Sequence, residues 1–277
     1  MKRRLFLFAA YDAAGQVGAS LLWYVKALSE NGDVIFVADS DIDEQQISLL
    51  TPYVLHAEAS RHGEYDFGSY KLAFKWAQDN CSLKSYDYLY LVNDSVYGPL
   101  YDIRSYLEKM EGLGTEAFGL VHNPHRRTPH LQSWFIGMTG LVYSSQWFSD
   151  FMYSVTAEDT KEDVCMKYEN GFTELLCSHS VNTAALFYVG GKKIYNSVYK
   201  LYRKGLPFIK KAAFVRHNGC LGGKVNRILN RVDPRCRQAI VSDASRVYGE
   251  NYMKVFLTEN PFVLAGRYIS YLFSKIS

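Results

Sequence analysis

The chain has 277 residues, 48% of them apolar and 21% charged, with a net charge of +3. That is enough apolar material to bury a full core, and it excludes an intrinsically disordered chain. No segment reaches the ~18 uninterrupted apolar residues of a membrane span, so a soluble protein, cytoplasmic or attached at the inner face of the membrane, is expected.

Basic residues precede the apolar run Leu5–Ala10 as in an export signal, but Tyr11 and Asp12 interrupt it, and a first buried strand is predicted instead. Val17, Leu21, Val25 and Leu28 recur at helical spacing up to the stop Asn31-Gly32. Val34 to Ala38 reads as a second buried strand, Asp43 as the cap of a short helix reaching Leu50, and Tyr53 to His56 as a third strand. Tyr70, Ala73, Phe74 and Ala77 share one face of the next helix. Tyr88 to Val92 is the fourth strand, and it ends on the polar run Asn93-Asp94-Ser95 before Gly98-Pro99. Beyond Thr115, Phe118 to Val121 and Leu131 to Tyr143 are predicted as strands flanking the loop HNPHRRTPH, with helices over Gln146 to Val155 and Asn170 to Cys177. A last helix is expected from Pro261, its apolar stripe (Phe262, Val263, Tyr268, Ile269, Leu272, Phe273) packed on the core rather than laid on a membrane.

Alternating strand and helix units with short connections predict an α/β fold: a doubly wound, mostly parallel sheet with a modified C-terminal half. One domain over 1–277 is expected, with 191–277 as a basic and apolar extension packing on it. Five cysteines (Cys81, Cys165, Cys177, Cys220, Cys236) are widely spaced without a C-x-x-C pair, the usage of a reducing cytosol rather than of a disulfide framework.

In such sheets ligands bind beyond the carboxyl ends of the strands. Asp12, Asp39 and Asp94 each sit at or just past such an end, although Asp also favours loops for local reasons. A carboxylate after a central strand can hold Mg²⁺ or Mn²⁺, which in turn bridges the phosphates of a nucleoside diphosphate. Strands also end on Asn-Asp-Ser turns without any ligand.

Charge is unevenly spread. Residues 191–240 carry thirteen Lys and Arg against the single acid Asp233, a net +12 that leaves −9 elsewhere. An anionic partner is implied: a diphosphate, an acidic membrane or a nucleic acid. Tyr195, Tyr199, Tyr202 and Phe208 interleave with these cations, but no RNA-binding signature accompanies them, and nucleic acid is not expected. Three histidines in HNPHRRTPH admit a zinc reading, but its prolines and arginines suit a phosphate- or sugar-facing loop as well, or a plain exposed loop.

Five motifs occur in one order: RHGEYDFGSYK (Arg61 to Lys71), LVNDSVYGP (Leu91 to Pro99), HLQSWF (His130 to Phe135), YENGFTELL (Tyr168 to Leu176) and GLPFIKK (Gly205 to Lys211). Together, over roughly residues 4 to 215, they resemble the rhamnan synthesis protein F family of bacterial polysaccharide glycosyltransferases. The resemblance implies a GT-A-like fold, a nucleoside diphosphate sugar donor, often dTDP-rhamnose, and a cell-surface polysaccharide or lipid-linked glycan as acceptor. The usual acidic motif of such enzymes has two Asp flanking one residue, whereas here Asp94 stands alone, which keeps a non-catalytic scaffold in play.

Candidate donor-binding residues are Tyr11, Asp39, Arg61, Gly63, Asp66, Asn93, Asp94, Ser95, Gln132 and Lys210. Gly63 permits close backbone approach, while Arg61 and Asp66 are placed to grip the nucleoside and its phosphates. Tyr97 is either a stacking surface for a sugar or base, or a core aromatic. Gln132 and Trp134 are expected on opposite faces of a strand, one reaching ligand and the other packing. Asp94 and His217 are the candidate metal ligands. An inverting transferase needs a base for the acceptor hydroxyl; Glu169 matches the family motif for it, with Glu174 and Asp163 behind.

Overall fold

The computed structural model describes residues 2–215 and 221–273. The chain forms two compact units: residues 1–17, 25–94 and 102–190, and residues 18–24, 95–101 and 191–277.

In chain order the strands are β1 (Arg4–Ala10), β2 (Asp33–Ala38), β3 (His56–Ala59), β4 (Tyr88–Asn93), β5 (Val96–Tyr97), β6 (Ala117–Asn123), β7 (His130–Leu131), β8 (Phe135–Thr139), β9 (Thr183–Tyr188) and β10 (Ile209–Lys210). The helices up to the end of the sheet are α1 (Ala19–Ser29), α2 (Glu44–Ser48), α3 (Tyr65–Asn80), α4 (Arg104–Glu111), α5 (Gly140–Tyr143), α6 (Gln146–Tyr153), α7 (Lys161–Val164) and α8 (Gly171–Ser178). Those that follow are α9 (Lys193–Asn196), α10 (Val198–Arg203), α11 (Leu221–Leu229), α12 (Pro234–Tyr248), α13 (Glu250–Phe256) and α14 (Pro261–Phe273).

The first unit holds a mixed sheet in the order β3-β2-β1-β4-β8-β6-β7, with β9 also pairing β6. β1, β2, β3 and β4 run parallel, β9 runs parallel to β6, and β8 is antiparallel to both β4 and β6. β6 and β9 therefore point the same way as β1, β2 and β4, and their carboxyl ends share one rim. This is the expected mostly parallel α/β sheet with a modified second half.

Hydrophobicity explains the layers. All seven residues of β1 are buried, as suits a central parallel strand covered on both faces. One face meets α3, whose Tyr70, Ala73, Phe74 and Ala77 pack against Leu5, Leu7, Leu89 and Leu91 in one core. Each large side chain so buried contributes about 1.5–3 kcal/mol. Near the amino end of β1, Arg4 donates to Glu111 through Nε (2.5 Å) and Nη2 (3.0 Å), and the Tyr90 hydroxyl donates to the same carboxylate at 2.7 Å. Burial, and then the Glu111 charge, push the Tyr90 hydroxyl well above its ordinary pKa.

Several expectations shift. The third strand is His56–Ala59 rather than Tyr53 to His56, because Pro52 and Tyr53 belong to a 3₁₀ turn (Thr51–Tyr53) and every residue of this strand is only half-buried. Leu131 to Tyr143 is not one strand: a turn at 132–134 separates β7 from β8, and the last four residues form α5. Asp43 caps α2 as expected, its side chain accepting from Gln46 N. No helix among the described residues is long and apolar enough to cross a membrane.

The second unit has its own core, in which Tyr97, Ile209, Phe214, Val225, Ile240 and Phe256 pack together. Tyr97 is fully buried edge-on to Phe214, with ring centroids 4.7 Å apart, so it is a core aromatic and not a stacking surface. Of the apolar stripe expected on α14, Phe262, Val263 and Ile269 are exposed. Among the described residues Cys81, Cys165, Cys177 and Cys236 are free thiols.

Candidate functional site

The carboxyl-terminal rim of the first unit is stitched by its own backbone. Asp39 N donates to Ala10 O (3.0 Å), Asp94 N to Ala9 O (3.1 Å), and Asp12 N to Ser40 Oγ (2.9 Å). The three aspartates thus stand on the ends of the adjacent strands β2, β4 and β1. Gly15 is required here: its φ is +64°, and a Cβ would lie 2.2 Å from Asp41 O, so only glycine lets the two loops close together.

Each aspartate has a defined local task. Asp12 Oδ1 accepts from Ala14 N (2.9 Å) and Gln16 N (3.2 Å), an Asx turn that shapes the loop after β1. Asp39 Oδ1 accepts from His62 N (2.9 Å) and Gly63 N (3.0 Å), and Oδ2 from Tyr65 N (3.3 Å), so Asp39 pins the start of α3 beneath β2. His62 Nδ1 accepts from Glu64 N (3.1 Å), which leaves Nε2 to donate to Ser69 Oγ (3.0 Å) and fixes a neutral ring. Burial lowers the His62 pKa, against the opposing charge of Asp39. Asn93, buried at the end of β4, donates through Nδ2 to Asp66 Oδ2 at 2.8 Å. That bond sets Asp66, on the first turn of α3, beside the strand end that carries Asp94.

Across the sheet, the turn between β7 and β8 is clamped from three sides. Glu169 Oε1 accepts from Ser133 N (2.8 Å) and Ser133 Oγ (2.9 Å), while the Tyr70 hydroxyl donates to Ser133 O (3.1 Å). Trp134 Nε1 donates to Gln132 Oε1 at 2.7 Å. The expectation that Gln132 and Trp134 point to opposite faces is therefore wrong: the two bond to each other in a turn, and residues two apart on a strand would share a face in any case. Glu169 sits in a π-helical segment, Cys165–Asn170, a distortion that recurs at functional sites and here turns its carboxylate toward Ser133. Its second oxygen has no protein partner among the described residues.

The remaining candidates are placed as follows. Arg61 pairs with Asp41 at 2.8 Å in an exposed contact, Tyr11 is exposed at the end of β1, and Glu174 is exposed on α8. Ser95 and Lys210 belong to the second unit, where Lys210 Nζ donates to Ser95 Oγ at 2.9 Å and Lys210 pairs with Val96 between β10 and β5. His217 and its neighbour Arg216 lie outside the described residues, as does Cys220. In the histidine loop, His125 and His130 bond to Thr128, while His122 contacts the Tyr188 ring at 5.2 Å; burial, and then His130, lower its pKa.

Among the described residues no group of three or more His, Cys, Asp or Glu side chains could hold a metal ion. Of the two candidate metal ligands, Asp94 stands on this rim, and His217 lies outside the described residues. The residues that sequence reasoning missed are His62, Ser69 and Tyr70. All three fall inside RHGEYDFGSYK, but their roles depend on partners that only the packing of α3 supplies.

The fold and this rim define a mostly parallel α/β protein whose polar side chains gather beyond the carboxyl ends of its strands. Residues 34–273 match the family model described as rhamnan synthesis protein F, so the chain belongs to that family. The match begins at residue 34, later than the residue 4 expected for the resemblance, and continues past residue 215 through α14. No curated protein matches the chain. Solved structures with some likeness include a protein described as a nucleotide-diphospho-sugar transferase from Desulfovibrio desulfuricans G20, at 15% identity over 86% of this chain and 99% of that one, TM-score 0.42. Core-mannan synthase A of Aspergillus fumigatus, solved in a Mn/GDP form, is 12% identical over 64% and 70% of the two chains, TM-score 0.38. The glycosyltransferase GlyE of Streptococcus pneumoniae TIGR4 is 12% identical over 74% of this chain and 49% of its own, TM-score 0.41. At these values the fold description rests on the strand order itself.

Proposed function

We propose that the protein is a GT-A-like glycosyltransferase. It moves a sugar, rhamnose being the one the family description favours, from a nucleoside diphosphate to a cell-surface polysaccharide or lipid-linked glycan. The observation that carries this reading is the Asn93–Asp66 bond, because it gathers two carboxylates, Asp66 and Asp94, at the end of a central parallel strand, where α/β sheets bind nucleotides and where a divalent cation held by these carboxylates would offset their repulsion of the diphosphate.

In the proposed reaction the acceptor hydroxyl oxygen attacks the anomeric carbon. The bond from that carbon to the diphosphate oxygen breaks, the electron pair leaves with the diphosphate, and the hydroxyl proton passes to a carboxylate. Glu169 is the base: one oxygen is anchored on Ser133, which orients the other toward the proton it takes. Gly63, exposed and at φ +73°, lets the backbone after β3 approach a phosphate, and Asp39 holds that backbone in place. Attack from the face opposite the diphosphate inverts the anomeric centre.

The test is a thermal-shift panel of nucleoside diphosphates and their sugars, run with Mn²⁺ and with EDTA. One nucleotide should raise Tm, as a ligand binding only the native state does, and Asp94→Ala should abolish the shift. A flat panel, or a shift that survives Asp94→Ala, removes the donor from this rim.

A further inference from the structure

The +12 segment is not evenly spread over the second unit. Lys200, Arg203 and Lys204, on and just after α10, face Lys224 of α11 across a cleft of about 540 Å³ that Ser197 and Tyr199 also line. Among the described residues no carboxylate lines it, and none of these four cations forms an ion pair. Four exposed cations converging without an acid repel one another, and a bound anion relieves that repulsion.

The same helix that supplies Lys224 carries α14 on its other flank. A Cβ on Gly223 would meet Leu264 at 3.4 Å, and Asn226 and Asn230 both donate to Glu259 Oε1, at 3.0 and 3.2 Å. From Pro261 to Phe273 the only charged side chain is Arg267, which turns back to donate to Val255 O at 2.8 Å. Phe262 and Ile269, seven residues apart and so on one face, are 86% and 53% exposed. An apolar helical face beside a cationic cleft is the chemistry of an interfacial membrane element.

We propose that the α10–α11 cleft binds the phosphate of an anionic membrane lipid, and that the exposed face of α14 enters the acyl layer beside it. A nucleic acid fits less well, because single strands need free aromatic faces to stack on. Here Arg227 and Arg231 lie over the Tyr199 ring at 5.6 and 5.7 Å, and Tyr202 is stacked on Tyr101 with centroids 5.6 Å apart. The inference does not depend on sugar transfer, since membrane binding is read without donor or acceptor.

The experiment is flotation of the full chain with vesicles of phosphatidylcholine alone or doped with phosphatidylglycerol. Binding should require the anionic lipid, fall steeply with salt and be competed by inorganic pyrophosphate. The triple variant Lys200→Gln, Arg203→Gln, Lys204→Gln should bind roughly 100-fold more weakly, and Phe262→Ser at least about 10-fold more weakly. Both variants should melt at the wild-type temperature, since the altered side chains are exposed or line an open cleft. Equal binding to neutral vesicles, or undiminished binding by the triple variant, overturns the headgroup site. Undiminished binding by Phe262→Ser overturns the role of α14. Pyrophosphate binding without vesicle retention makes this a soluble-phosphate site, and tighter binding of single-stranded RNA than of anionic vesicles makes it a nucleic-acid surface; either result ends the proposal.

Discussion

Glu169 Oε1 accepts both the backbone N–H and the hydroxyl of Ser133, at 2.8 and 2.9 Å, so one carboxylate oxygen fixes the turn between β7 and β8. Glu169→Gln keeps an acceptor oxygen for Ser133 but removes the base. Turnover should fall about 10²–10⁴-fold with little change in Tm. Glu169→Ala should also cost about 1–3 kcal/mol of stability, because Ser133 loses its partner. Steady-state kinetics beside thermal melts separate the two effects; a Gln variant with full turnover would show that the proton goes elsewhere.

Asn93 is 2% exposed and donates to Asp66. Asn93→Asp sets a second carboxylate at that distance, where like charges disfavour joint ionisation. The variant should lose about 1–3 kcal/mol at neutral pH and regain part of it in mild acid, as one carboxyl takes a proton. Urea melts across pH test this, and a variant equally stable at both ends would mean that the two groups do not share one microenvironment.

Glu111 answers Arg4 and the Tyr90 hydroxyl inside the first unit. Removing it by Glu111→Leu strands a buried guanidinium and should cost about 3–5 kcal/mol, while Arg4→Met with Glu111→Leu should recover much of the loss. Denaturant midpoints of the two single variants and the double variant give the coupling. Simple additivity would argue against a buried pair.

His62 is held neutral, its pKa lowered from 6.5 chiefly by burial. Below that value the unfolded chain binds a proton that the folded ring resists. Stability should therefore be fully present above about pH 6.5 and decline as pH falls from there through the lower folded pKa. His62→Gln should flatten that decline. Melts at closely spaced pH values check it, and an unchanged profile in the variant would assign the acid sensitivity to other groups.

Much of the first unit is legible in the sequence. Leu5 to Ala10, Val34 to Ala38 and Tyr88 to Val92 are continuous apolar runs because strands covered on both faces leave no position for a polar residue, and the structure places all three side by side. β3 escapes such a reading for the complementary reason: none of its residues is fully buried, so no apolar run marks it. The Gln132–Trp134 turn was hidden because an apolar, aromatic stretch reads as strand whether or not its backbone turns. The helices of the second unit between Gly191 and Phe256 were visible only as charge, since their core is assembled from three separate segments of chain.

By itself the sequence determined which residues are apolar, where the central strands β1, β2 and β4 end, and that Asp12, Asp39 and Asp94 follow those ends, because these are properties of neighbouring residues along the chain. Tertiary structure alone decided that Asp39 pins the backbone amides leading into α3, that Asn93 holds Asp66, and that Glu169 anchors Ser133. Those bonds join residues 24, 27 and 36 positions apart. Each directional bond of this kind forms only within about 3 Å and with the right alignment, and the packing of helices on the sheet is what supplies both.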